Sequence, residues 1–207
     1  MKGLKDIDLY FINDSSLSKK SNTDDIRAAI RAGAKIVQYR EKQKTTKDMV
    51  EEAGKIKNIC QDTLLLINDR IDICLAVDAD GVHLGQGDMP YEMARKILGG
   101  RIIGITAHNI EEAIEAEKKG ADYIGLSPIF ETKTKPDAGK PSGIRLIEDE
   151  KKKVGIPMVV IGGLNKGNIA SVINAGADSC AVISAIITKD DVEKEAKCFI
   201  ETIKKEK

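Results

Sequence analysis

Leu64-Leu65-Leu66-Ile67-Asn68-Asp69-Arg70 is the stretch on which the reading of the chain turns. Its apolar residues follow one another without alternation, so neither face of the segment is meant for water. A strand buried on both faces belongs to a parallel sheet covered by helices. The run then stops abruptly at an amide and a carboxylate. Polar groups at the C-terminal ends of such strands are where parallel α/β sheets hold ligands and carry out chemistry. Asn68 and Asp69 are therefore candidate site residues, and a second acid, Asp88, follows the next apolar run.

The same grammar extends towards the N-terminus. Ile7–Ile12 reads as a first strand, ended by the turn formers Asn13-Asp14-Ser15-Ser16. Thr23-Asp24-Asp25 offers an N-cap and an acidic first turn to a helix over Ile26–Arg31, which Gly33 stops. Ala34–Tyr39 is a second strand leading into Arg40-Glu41-Lys42. Thr45–Ile59 is a helix with Met49, Ala53, Ile56 and Ile59 near one face.

It also extends towards the C-terminus. A short helix through Ile71–Val77 precedes a strand over Asp80–Gly85, and Pro90 opens the following helix in a position that tolerates proline. Arg101–Ile105 is a strand ending at Thr106-Ala107-His108, and Asn109 caps a helix over Ile110–Lys119 that Gly120 closes. Asp122–Leu126 leads into a loop, Ser127–Ser142, rich in Thr, Lys, Gly and Pro. Loops of that length are usually functional or disordered. A helix near Ile144–Val154 follows, then a strand over Pro157–Ile161 ending at Gly162-Gly163 and a helix over Leu164–Ala175. The chain finishes with a strand over Ala177–Ile183 that ends at Ser184, and a helix over Asp190–Lys204.

Strands and helices thus alternate eight times. Ala32-Gly33-Ala34-Lys35, Lys119-Gly120-Ala121-Asp122 and Ala175-Gly176-Ala177-Asp178 each mark a helix stop and a strand start, as repeated units would. The expectation is one α/β domain over residues 1–207, a TIM (β/α)8 barrel with short loops. An open doubly wound sheet is the alternative that strand count alone leaves.

Charge and composition narrow the function. The 207 residues carry a formal net charge of +0 and no Trp, which argues against broad nucleic-acid or membrane binding and against a stacking platform for single strands. Cys60, Cys74, Cys180 and Cys198 form no zinc spacing and read as reduced thiols. Met1-Lys2-Gly3 leads into a charged segment rather than an apolar one, and no run is long enough to span a bilayer. A soluble, cytoplasmic protein is expected, with small-molecule phosphorylated partners; oligomeric state is not legible.

A barrel brings the strand ends to one face. Arg40, Lys42 and Lys135 suit phosphate, because they neutralise charge and donate hydrogen bonds. Asp69 and Asp88, with the Asn68 amide beside them, suit a hard divalent cation such as Mg2+, which takes one or two carboxylates and fills its shell with phosphate oxygens and water. Cations and a two-carboxylate metal site together imply a substrate with more than one phosphate. The competing roles are a helix N-cap for Asp69 and a turn residue for Asp88. Gly162-Gly163 permits close backbone approach to an anion, and with Ser184 it fits a second, monophosphate site. His83, inside a strand, reads as structural. His108 beside Thr106 is equally an acid/base candidate and the residue before a helix cap.

Gln38-Tyr39-Arg40-Glu41-Lys42, Ile67-Asn68-Asp69-Arg70, Asp80-Gly81-Val82-His83-Leu84-Gly85-Gln86-Gly87-Asp88, Thr132-Lys133-Thr134-Lys135, Ile161-Gly162-Gly163 and Ile183-Ser184-Ala185-Ile186 together resemble the ordered signature of thiamine-phosphate synthases. The resemblance covers nearly the whole chain. It implies a TIM barrel that joins 4-amino-5-hydroxymethyl-2-methylpyrimidine diphosphate to hydroxyethylthiazole phosphate, or its carboxylated form, by magnesium-assisted dissociative loss of pyrophosphate. Carried over by position, it implies Asp69 and Asp88 as metal ligands. Gln38, Arg40, Lys42, Asn68, Thr106 and Lys135 fall around the pyrimidine diphosphate, with Arg40, Lys42, Thr106 and Lys135 as the catalytic groups. Thr132, Thr134, Gly163, Ile183 and Ser184 fall at the thiazole phosphate. Departures from the family pattern are Thr106 for Ser, Gly87 for an acid, Asn13 for Thr and Glu131 for Pro. A related thiazole tautomerase, with a His at the place of His108 and no need of magnesium, is the runner-up. A non-catalytic phosphate-binding barrel is the third reading.

Overall fold

Leu64–Asn68 is a parallel strand with neighbours on both sides, Ile36–Tyr39 and Gly81–Leu84. The computed structural model describes residues 4, 7–132, 134 and 139–207. In chain order the elements are β1 (Leu9–Ile12), α1 (Asn22–Arg31), β2 (Ile36–Tyr39), α2 (Thr46–Ile59), β3 (Leu64–Asn68), α3 (Ile71–Ala76), β4 (Gly81–Leu84), α4 (Tyr91–Leu98), β5 (Ile102–Ala107) and α5 (Ile110–Lys119). They continue with β6 (Tyr123–Leu126), α6 (Ile144–Lys151), β7 (Met158–Ile161), α7 (Ile169–Asn174), β8 (Ser179–Val182), α8 (Ser184–Ile187) and α9 (Val192–Glu206). Every strand pairs in parallel with the next, and β8 returns to β1, so the sheet closes into a barrel. This is the TIM barrel expected from the alternation; the open sheet is excluded by the β1–β8 pairing.

Two cores follow from the period of two along each strand. Outward residues such as Leu65, Ile67, Val82, Ile103 and Ile124 pack under the helices. Inward residues, among them Tyr10, Ile36, Leu66, Ile102, Tyr123 and Val159, fill the barrel. Large and small side chains alternate around this interior. A Cβ on Gly104 would lie 2.0 Å from the Tyr123 ring, and one on Gly125 would lie 2.6 Å from the His83 ring. Those glycines make the space in which two polar rings sit at the barrel's centre.

Local signals account for most element boundaries, and the exceptions have reasons. Asn109 accepts the Glu112 N–H and Gly120 ends α5 at φ 92, as its cap chemistry predicts. The cap of α1 is Ser21, which accepts from the Asp24 N–H, so that helix starts earlier than Thr23-Asp24-Asp25 implied. The helix expected from Leu164 begins only at Ile169, because Asn165 and Asn168 fold the preceding residues into side-chain-bonded turns. The four-residue α8 was not expected: Ser184, placed at a strand end by the sequence, is its first residue. Thr106 lies within β5 rather than after it. All four cysteines are free thiols, with Cys60, Cys74 and Cys180 buried. No helix among the described residues is long and apolar enough to cross a membrane.

Candidate active site

The C-terminal mouth of the barrel opens into a cavity of about 370 Å³. Gln38, Arg40, Lys42, Asn68, Asp69, Asp88, Thr106, Thr132, Thr134 and Ile183 all line it. A second cavity, of about 410 Å³, is lined by Thr132, Thr134, Gly163 and Ser184. Thr132 and Thr134 belong to both, so the two spaces meet at the β6 loop. There the Thr134 hydroxyl donates to the Ser184 hydroxyl at 3.1 Å, tying that loop to α8. Lys135 lies outside the described residues.

Asp69 is held in a conformation that side chains rarely adopt, at φ 60. The Arg70 N–H donates to the Asn68 carbonyl at 2.7 Å, and the Asp69 N–H donates to the His83 carbonyl at 2.9 Å. A tight turn therefore follows β3 directly and turns the carboxylate into the cavity. Strain of this kind costs ~1–3 kcal/mol and persists where surrounding structure imposes it. The helix-cap alternative for Asp69 is not realised: α3 is capped at Arg70 without a side-chain bond. Asp88 does serve its turn, accepting the Gly85 N–H at 2.6 Å, and it lines the cavity as well.

The two carboxyls sit within hydrogen-bonding reach of each other and titrate apart. Burial works to raise the Asp69 carboxyl, but its bonds to the Lys42 ammonium and to Asp88 outweigh it and hold Asp69 below the usual carboxylate range. Burial pushes Asp88 up, and the bond and charge of Asp69 add to that. Two like charges side by side favour one shared proton, and a divalent cation supplies what that proton supplies. The donor set fits a hard cation of modest protein coordination. Among the described residues no group of three or more His, Cys, Asp or Glu side chains gathers to enclose an ion, so its remaining ligands would be water and substrate oxygen.

The cations of the site already have carboxylate partners. Lys42 pairs with Asp69, and Arg40 pairs with Asp14. Asp14, which the sequence marks as a turn former, is buried. Glu41, between the two cations, is also buried. Its Oε1 accepts the N–H groups of Lys42 and Gln43 at 2.8 Å each, which shapes the loop that carries them.

A hydrogen-bonded chain crosses the cavity floor. Gln38 Nε2 donates to the Tyr10 hydroxyl at 2.8 Å, and the Tyr10 and Tyr123 hydroxyls are 2.9 Å apart. Tyr123 meets His83 Nδ1 at 2.9 Å, and His83 Nε2 meets the Thr106 hydroxyl at 2.9 Å. Burial raises both phenols well above their ordinary range, so they stay neutral and act only through hydrogen bonds. Gln86 adds a bond of 2.6 Å to the Thr106 carbonyl. His83, expected to be structural, thus lines the cavity and braces Thr106. The signal for this chain was a polar ring at an inward position of an apolar strand, at Tyr10, His83 and Tyr123.

Two other expectations gain detail. Gly162 and Gly163 have φ of 106 and 66, and a Cβ on them would lie 2.7 Å from Pro128 and 2.5 Å from the Glu131 carbonyl. The close approach that this pair permits is therefore to the β6 loop. His108 lines the cavity with its Nδ1 2.9 Å from Glu112, beyond the end of β5.

A closed parallel barrel with acids and cations at its C-terminal mouth, beside a hydroxyl-lined second cavity, has the architecture of a (β/α)8 enzyme. Comparison narrows the class. The family model described as thiamine monophosphate synthase matches residues 9–186. Thiamine-phosphate synthase of Methanosarcina mazei is 57% identical over 97% of this chain and 85% of its own length. That of Chloroflexus aurantiacus is 47% identical over 91% of this chain and 89% of its own. The solved thiamine phosphate pyrophosphorylase of Pyrococcus furiosus superposes with a TM-score of 0.93 at 39% identity, covering 99% of each chain. The chain belongs to the thiamine-phosphate synthase family and is a transferase of thiamine biosynthesis.

Proposed function

We propose that the protein condenses 4-amino-5-hydroxymethyl-2-methylpyrimidine diphosphate with hydroxyethylthiazole phosphate, or its carboxylated form, releasing pyrophosphate with the help of Mg2+. The observation that carries this is the pairing of two cavities. One holds Asp69, Asp88, Arg40 and Lys42 together, a donor set for a metal-bound diphosphate; the other presents the hydroxyls of Thr132, Thr134 and Ser184, a set for a monophosphate.

The chain's residues divide the work as follows. Asp69 and Asp88 would hold Mg2+, which supplies charge stabilisation to the departing pyrophosphate. Arg40 and Lys42, with Lys135 from the β6 loop, bind diphosphate oxygens and stabilise the negative charge that grows as the C–O bond breaks. Lys42 changes partners in doing so, from Asp69 to phosphate. Gln38, Asn68 and Thr106 orient the pyrimidine, with the Thr106 hydroxyl set by His83. Thr132, Thr134, Gly163, Ile183 and Ser184 hold the thiazole phosphate so that the ring nitrogen faces the pyrimidine methylene carbon. Holding both partners in line converts a two-body encounter into an oriented step. Purified protein given both substrates tests the reading by the formation of thiamine phosphate. Conversion of thiazole phosphate alone, with no coupling, would instead favour the tautomerase.

A further inference from the structure

We propose that Asn13 is the positioning residue of the diphosphate pocket, acting through Arg40. The inference rests on the reading of Arg40 as a diphosphate ligand and adds the group that sets where Arg40 stands. The β1–β2 register ends at Ile12 and Gln38, two residues before Arg40. From there the Asn13 side chain continues the ladder in place of backbone. Its Oδ1 accepts the Arg40 N–H at 3.1 Å and its Nδ2 donates to the Arg40 carbonyl at 3.2 Å, while its own N–H donates to the Gln38 carbonyl at 3.2 Å. Asn13 is 0% exposed, so water offers no substitute for these bonds.

The orientation of the amide is imposed from behind. Glu52 Oε2 accepts from the Tyr39 hydroxyl at 2.7 Å, from Lys44 Nζ at 2.7 Å and from Asn22 Nδ2 at 3.0 Å. A carboxylate only accepts, so the Asn22 amide must turn its nitrogen to Glu52 and its oxygen to Asn13. Asn13 Nδ2 meets that oxygen at 2.7 Å, which leaves Asn13 Oδ1 for the Arg40 N–H. One fixed charge thus sets two amides in series and, through them, the backbone from which the Arg40 guanidinium reaches the cavity. An aspartate at 13 would lose the donor; a threonine keeps one hydroxyl able to accept from Arg40 N–H.

A double-mutant cycle on pyrophosphate binding separates this role from a merely structural one. Inorganic pyrophosphate is titrated with magnesium into wild type, Asn13→Ala, Arg40→Ala and the double variant, each confirmed folded by circular dichroism. Asn13→Ala is expected to weaken binding roughly tenfold, yet to add less than about twofold in the Arg40→Ala background; Asn13→Thr is expected to restore most of the loss. Equal effects of Asn13→Ala in both backgrounds, or no effect in wild type, would overturn the proposal, as would failure of wild type to bind pyrophosphate. Should Asn13→Ala not fold, Asn22→Ala is put through the same cycle with the same criterion and an expected loss of about threefold. Wild type that binds pyrophosphate and obeys the cycle, but couples no substrates, would count against the proposed reaction and leave the role of Asn13 standing.

Discussion

Replacing Glu150 with Met should stabilise the protein more in alkaline solution than in acid. Glu150 lies in α6, 0% exposed, and neither carboxyl oxygen has a hydrogen-bond partner among the described residues. Burial alone pushes its carboxyl from 4.5 up to about 7. The folded state therefore holds this proton more tightly than the unfolded chain does, and stability falls as pH rises between those values, levelling above the upper one. A shift of that size corresponds to ~3 kcal/mol; water reaching the ionised carboxylate screens part of it, so ~1–3 kcal/mol is expected at pH 8. Below pH 4.5 both states are protonated and the ionisation cost vanishes. Met fills a similar volume without a charge. Its thermal midpoint should exceed that of the wild type by roughly 3–10 °C at pH 8, and by far less at pH 4.5. Calorimetric scans of both proteins across that range measure the difference. A gain independent of pH, or a loss at pH 8, would refute the reasoning.

Other perturbations address the site. Tyr123→Phe removes the hydroxyl between Tyr10 and His83, takes one hydrogen bond from the buried Tyr10 and one from the half-buried His83, and should cost ~1–3 kcal/mol with a loss of kcat through Thr106; denaturant melts and steady-state kinetics report the two effects separately. Gly104→Ala drives a methyl into the Tyr123 ring and should destabilise the barrel by ~1–3 kcal/mol or more, whereas Gly87→Ala, with open space around it, should leave the melt unchanged. Asp88→Ala should abolish magnesium binding measured by calorimetry; Lys42 continues to pair with Asp69, and loss of the acceptor for the Gly85 N–H should lower stability by ~0.5–1.5 kcal/mol in a denaturant melt.

The barrel was legible because its strands are buried on both faces, a pattern that needs no alignment to interpret: Leu64–Ile67 has no polar residue to place outside. The acids and cations were legible because they stand immediately after such runs, and Asn68, Asp69 and Arg40 need only the strand direction to be located. The relay through Tyr10, Tyr123 and His83 was not. A polar ring in an apolar strand looks the same whether it serves packing or a site, and each ring's partners come from two other strands. Nor was the tight turn at Asp69, since φ 60 at a non-glycine leaves no local mark. The four-residue α8 is too short to show a period, and the glycine pair after β7 signals close approach without saying to what. Asn13 reads in the sequence as a turn former and a departure from Thr, and its amide gains meaning from Arg40, Asn22 and Glu52, which the chain brings to it from three separate segments.

The most direct test of the central claim is a coupling assay with purified protein, pyrimidine diphosphate and thiazole phosphate, run with and without magnesium and beside Asp88→Ala. Thiamine phosphate formed with magnesium, absent without it and lost in the variant, is the predicted result. Coupling that proceeds equally without magnesium, or in Asp88→Ala, would contradict the two-carboxylate metal site; no coupling by the wild type would contradict the proposed reaction.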